Sequence, residues 1–104
     1  MHPAIVQHRD AIAAICRRFG VRRLDVFGSA AHDVDFDPAR SDADFLVEFA
    51  PGAVAGLQGF FGAKEALEQL LGRPVDLVEA DAVRNPYVRA SIDQSRQPVY
   101  AAAA

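Results

Sequence analysis

Residues 27–47 read FGSAAHDVDFDPARSDADFLV. One apolar run closes on Gly28 and Ser29, and another opens behind Asp42 and Asp44. Glycine lets the backbone come close to a ligand. Serine suits a helix N-cap, where free amides favour phosphate. If Asp44 begins a strand, Asp42 and Asp44, two residues apart, point to one face. Like charges side by side repel unless a cation lies between them. Hard divalent cations such as Mg²⁺ take carboxylate oxygens together with substrate phosphates. The stretch therefore reads as a phosphate cradle facing a metal pair. The competing reading is a turn followed by solvated acids.

A third carboxylate from a neighbouring strand separates the two readings, because a two-metal phosphoryl site commonly needs one. Asp76 meets that need. It is the one acid inside the apolar run PVDLV (residues 74–78), where a charge is otherwise out of place.

The surrounding chain supplies a scaffold. Residues 3–19 read as one helix, with Ile5, Ile12, Ile15, Cys16 and Phe19 at helical spacing on one face. Pro3 suits its first turn, Arg17 and Arg18 suit the negative end of its dipole, and Gly20 stops it. VRRLDVFG (21–28) reads as a strand. So does ADFLVEF (43–49), with Phe45, Val47 and Phe49 on one side and Asp44, Leu46 and Glu48 on the other. Residues 55–72 read as a second helix whose start is weakened by Gly56, Gly59 and Gly62. RPVDLVEA (73–80) is a third strand, NPYVRASIDQSR (85–96) a third helix with Pro86 at its first position, and QPVY (97–100) a short final strand. Strands interleaved with helices imply an α/β layer. A connection as long as the one between the first two strands is usually functional or mobile in so small a domain.

The totals narrow the function. A chain of 104 residues with 51% apolar and 24% charged content is one ordinary globular domain, assigned to residues 1–100, with a frayed alanine tail at 101–104. A net charge of −3 with interspersed signs argues against a dedicated nucleic-acid binder. One cysteine excludes a disulfide framework and fits a reducing, cytoplasmic setting. No run is apolar enough to span a membrane, and the N-terminus lacks the apolar core of a signal peptide.

Several weaker patterns resolve to structure. Asp33, Asp35 and Asp37 imitate the opening of a calcium loop, but Pro38 stands where that loop needs glycine. GFFGAKE lacks the Lys-Ser/Thr pair of a P-loop. Cys16 reads as core and His8 as packed or half-exposed. Arg84, Arg89 and Arg96 read as a solvated helix face, the alternative being a partner-docking or phosphate-contacting surface.

FGSAAHDVDFDPARSDADFLVEF, with PVDLV and NPYVRASIDQSRQPVY behind it, resembles the nucleotidyltransferases of the DNA polymerase β-like fold. It is most similar to the minimal nucleotidyltransferase group, and the likeness runs over nearly the whole chain. The resemblance implies an α+β, α/β-layered fold: a small mixed β-sheet with helices packed on it. It implies that Gly28 and Ser29 hold the phosphates of a nucleoside triphosphate. It implies two Mg²⁺ ions on Asp42 and Asp44, with Asp76 as the third metal-site and catalytic carboxylate, helping to activate an acceptor hydroxyl. Twelve residues lie between Ser29 and Asp42, an insert slightly longer than the family's usual spacing. Minimal members are often antitoxins of small helical HEPN ribonuclease toxins encoded nearby, and some transfer AMP from ATP to a tyrosine of that toxin.

Two function classes follow. In the first the chain is an Mg²⁺-dependent enzyme that transfers AMP from ATP to a partner toxin. So small a domain has no room for an acceptor lobe, so the acceptor comes from another chain. In the second it neutralises the toxin by binding alone, through an apolar patch for which Phe60 and Phe61 are candidates. Transfer to a small molecule such as an aminoglycoside ranks last, because it needs a helical partner domain.

Overall fold

The computed structural model describes residues 2–28, 43–51 and 57–102. Ser29 and Asp42, the acidic insert at 33–37, Arg40, the first residues assigned to the second helix, and Ala103–Ala104 lie outside the described residues.

The strand predicted at 43–49 is a central one. β2 (Ala43–Phe49) alternates as expected, yet both of its faces are covered. Phe45 and Val47 enter the main core, while Leu46 enters a second, smaller cluster on the opposite face. β1 (Val21–Phe27) runs antiparallel to β2, and β3 (Val75–Glu79) runs parallel to it on the other side. β4 (Gln97–Ala101) pairs antiparallel with β1. The sheet is therefore mixed, in the order β3-β2-β1-β4. A parallel neighbour needs a crossover, and α3 (Leu57–Leu71) provides it between β2 and β3.

Two corrections concern element ends. The leading helix is broken into α1 (Pro3–Gln7) and α2 (Arg9–Phe19) at His8. The carbonyl of Ala4, which a continuous helix would bond to the His8 amide, instead accepts from His8 Nδ1 at 2.7 Å. The amide falls back one residue, to Ile5 O at 3.3 Å. A side chain has taken a backbone partner, the competition that periodicity alone does not register. At the other end, Ala101 and Ala102 join the sheet. Ala101 pairs with Arg23, and the Ala102 amide donates to Arg22 O at 2.8 Å.

The remaining ends follow their local chemistry. Gly20 closes α2 at φ 72°, a conformation glycine adopts without steric cost. Asn85 caps α4 (Pro86–Ser95), its Oδ1 accepting from Tyr87 and Val88 amides at 2.9 and 3.4 Å. A short 3₁₀ turn, Ala80–Ala82, leads into it.

The two faces of the sheet differ. α1, α2 and α3 cover one with a continuous apolar cluster that includes Ile5, Ile12, Leu24, Phe45 and Leu67. Cys16 lies in this core, and burial pushes its thiol up to about 12. Gly62 lets α3 approach α2: a Cβ there would lie 2.5 Å from the Phe19 ring. α4 lies over the opposite face, where, among the described residues, only Leu46, Ala80 and Ile92 form a fully buried apolar cluster, flanked by Phe27, Val78 and Val83.

Candidate active site

Side chains alternate across a strand, and the sheet register decides which of the predicted acids meet. Asp44 and Asp76 are direct partners across the parallel β2–β3 pair. Their Cα atoms are thus about 5 Å apart, one strand spacing. Since Phe45, Val47, Val75 and Leu77 face the main core, Asp44 and Asp76 both face the α4 side. They stand at the N-terminal ends of β2 and β3, beside the C-terminal end of β1. Asp44 is half-buried. Asp76, on an edge strand, is exposed. Its charge therefore stays hydrated, and the desolvation argument that singled it out in the sequence does not apply.

Gly28 completes the corner. It follows Phe27, which is paired with Asp44, and has φ 72°. A Cβ added to it would lie 2.8 Å from Asp44 Oδ2. The missing side chain is the space that the carboxylate occupies, so any other residue would push Asp44 away. The Gly28 amide donates to Ser95 Oγ at 3.0 Å. What Gly28 brings to the corner is its conformation and lack of bulk, while its N–H is engaged by α4.

The described part of the site thus joins Gly28, Asp44 and Asp76. Carboxylates on adjacent strands are hard oxygen donors of the kind Mg²⁺ takes, so these residues fit a divalent cation. Among the described residues no third His, Cys, Asp or Glu joins them. Asp42, the remaining acid of the predicted set, lies outside the described residues, as does Ser29.

Two residues near this corner escaped the sequence reading, and a third, Arg96, has another role than it assigned. Asp25, in the middle of β1, is the one fully buried charged residue among those described. Its Oδ1 accepts from Arg23 Nε at 3.2 Å, and its Oδ2 lies 3.6 Å from Arg96 Nε. A lone acid inside the apolar strand LDVF is the same signal that identified Asp76, and it was open to the same argument. Arg96 is accordingly no solvated residue: it holds Asp25 and Asp93. Arg89 likewise donates to Ala80 O at 3.1 Å. Of the three predicted solvated arginines, only Arg84 is an exposed residue with no such anchor shown.

Glu68 is the second residue that escaped it. Its Oε2 accepts from the Val75 amide at 3.0 Å and from Lys64 Nζ at 3.1 Å. The Val75 amide first, and then Lys64, hold this carboxyl below the usual range. The contact fixes the onset of β3 one residue before Asp76, and the Ala43 amide adds a bond to Pro74 O at 3.1 Å. Nothing in the sequence marks Glu68, because its partner is a backbone group brought up by the tertiary fold.

Comparison with known proteins agrees with this architecture. The family model for the nucleotidyltransferase domain matches residues 8–99. MJ0128 of Methanocaldococcus jannaschii, a candidate protein adenylyltransferase, is 36% identical over 77 residues, covering 74% of each chain. Protein adenylyltransferase MntA of Thermococcus cleftensis is 40% identical over 68 residues, 65% of each chain. Among solved structures, a candidate minimal nucleotidyltransferase superposes with a TM-score of 0.75 at 33% identity, covering 94% of this chain and 96% of the other. A chain from the complex of a tri-AMPylated Shewanella oneidensis HEPN toxin with its MNT antitoxin gives 0.65 at 14% identity, a likeness of fold, over 94% of this chain and 73% of that one.

Proposed function

This chain belongs to the nucleotidyltransferase domain family, as a minimal nucleotidyltransferase, and from that premise we propose that it transfers AMP from ATP to a hydroxyl of a partner protein. The acceptor is a tyrosine of a small helical HEPN toxin, and the chain acts as that toxin's antitoxin. The relatives' names support transfer to protein. The toxin complex with the same fold supports the class of partner.

The observation that carries the reading is the lateral register of Asp44 and Asp76 with Gly28 packed against Asp44. Asp42, Asp44 and Asp76 would hold Mg²⁺, which when bound supplies positive charge to the triphosphate and the departing pyrophosphate. Asp76 is exposed and open to an incoming protein. Its carboxylate orients the acceptor hydroxyl and takes its proton. The acceptor oxygen bonds to the α-phosphorus as the bond from that phosphorus to the β-phosphate oxygen breaks. Gly28 keeps Asp44 in place, and Ser29 contributes to holding the β and γ phosphates.

The purified chain, its toxin, Mg²⁺ and α-labelled ATP test this. Label is expected on the toxin, and it disappears with Asp44→Asn and with Asp42→Asn. Neutralisation that survives both substitutions without any labelling sinks the enzymatic reading in favour of binding alone. One observation gives that second reading its own candidate contact. Phe60 packs against the core, whereas Phe61 stands edge-on to it at 5.3 Å with 55% of its surface exposed.

A further inference from the structure

Gly28 permits the left-handed turn beside Asp44 but does not enforce it, since glycine is the least restricted residue. Something else must hold the turn, and the contacts that do so come from the end of α4. Ser95 Oγ accepts the Gly28 amide at 3.0 Å, while its own hydroxyl donates within the last turn of α4, to Ile92 O at 3.4 Å or Ser91 O at 3.5 Å. The next residue, Arg96, lies with Nε 3.6 Å from Asp25 Oδ2. The helix end is therefore fastened to β1 at Asp25 and to the turn after β1 at Gly28. β4 begins immediately afterwards, with Gln97 paired to Val26 between those two points.

Gly28 thus touches two groups. On the α4 side its amide is bonded to Ser95. On the β2 side the Asp44 carboxylate fills the place of a side chain. With so little room between Gly28 and the Asp44 carboxylate, a shift of the turn on loss of the Ser95 bond changes the space left to that carboxylate. We propose that Ser95 is a positioning residue for the transfer reaction: through Gly28 it sets where the Asp44 carboxylate stands, with Arg96 and Asp25 keeping the helix end in register. Ser95 itself touches neither nucleotide nor acceptor. This inference rests on the nucleotidyl-transfer reading above.

The test compares Ser95→Ala, Ser95→Thr and Ile92→Val, each assayed with the toxin and Mg·ATP well below its melting temperature. Ile92→Val removes buried volume from the same helix without touching Gly28, and so reports plain destabilisation. One hydrogen bond is worth a factor of about three to ten. Ser95→Ala is expected to lower kcat by about that factor with KM for the toxin unchanged. In a ¹⁵N spectrum followed during hydrogen exchange, the Gly28 amide is expected to exchange faster by a similar factor. Ser95→Thr, which keeps the hydroxyl, restores both values, and Ile92→Val changes neither. In an active wild-type background, wild-type kcat or wild-type Gly28 exchange in Ser95→Ala overturns the positioning role alone. So does a kcat loss of equal size in Ile92→Val. A wild-type chain that labels nothing overturns the transfer reading, and the role of Ser95 in it falls too.

Discussion

The two faces of the sheet are built from the same strands yet differ in kind. On the α1–α3 face the inward-pointing residues of β1, β2 and β3 include Leu24, Val26, Ala43, Phe45, Val47, Val75 and Leu77, all buried, with Phe49 partly so. On the α4 face their alternates are Asp25, Asp44 and Asp76 interleaved with Phe27, Leu46 and Val78. One face removes apolar area from water at roughly 25 cal/mol per Å². The other gives up part of that gain to carry carboxylates, with Asp44 and Asp76 near the strand ends at the proposed site. Stability is concentrated on one side of the sheet and the proposed chemistry on the other.

Adjacent residues of β2 offer the strongest way to break this comparison. Phe45→Ala is expected to destabilise the fold by about 3–5 kcal/mol, from the lost burial and the cavity left in a packed core. Urea unfolding measures it. Asp44→Asn, one residue earlier, is expected to cost under about 1 kcal/mol of stability but to lower AMP transfer by about 10²–10³-fold, as removal of a transition-state contact does. If the two substitutions had similar effects on the urea midpoint, the division between faces would fail.

Asp25 lies on the chemical face but is buried like a core residue, so it sharpens the boundary. Asp25→Asn removes the charge that Arg23 and Arg96 share. Breaking a buried pair can cost 3–5 kcal/mol when the remaining charge is stranded. Here both guanidiniums are part-exposed, so the expected loss is about 2 kcal/mol. A loss near zero would mean that the α4 end is held by packing alone.

A smaller effect is expected in acid. The Glu68 carboxyl is held below its ordinary 4.5 by the Val75 amide and Lys64. In the window between the folded value and 4.5 the unfolded chain binds more protons, so stability rises with pH there. The contribution is complete above about 4.5 and is lost as pH falls through the folded value. Glu68→Gln should flatten that part of the stability–pH curve and leave the neutral region as a parallel offset. An unchanged acid limb would show that β3 does not depend on this contact.

The smallest perturbation is a reactivity measurement. With its thiol pushed up to about 12 by burial, Cys16 should resist a thiol reagent at pH 8 in the native state. It should react at the rate of a free thiol once urea unfolds the chain. Rapid native labelling would mean that the α1–α3 face opens as readily as the other.

Much of this was legible in the chain itself. The alternation in 43–49, the helical spacing of Ile5, Ile12 and Cys16, and the glycine after Phe19 are local signals, and β2, α2 and its C-cap follow them. The pairing of Gly-Ser with Asp-x-Asp and a lone strand acid carries the family likeness within the sequence itself. The break at His8 was hidden because it depends on which donor reaches one carbonyl. Ser95, Arg96 and Glu68 were hidden for a related reason. Each owes its role to a partner at least seven residues away in the chain, and in the case of Ser95 to one 67 residues away.

Side-chain alternation and chain punctuation depend on near neighbours, so the sequence alone determined the strands, the helices and the candidate acids. Lateral register depends on how separate strands slide past one another until their apolar faces coincide. Only the tertiary structure could therefore decide that Asp76 stands opposite Asp44, that Gly28 lies against the same carboxylate, and that the end of α4 reaches across to hold the turn.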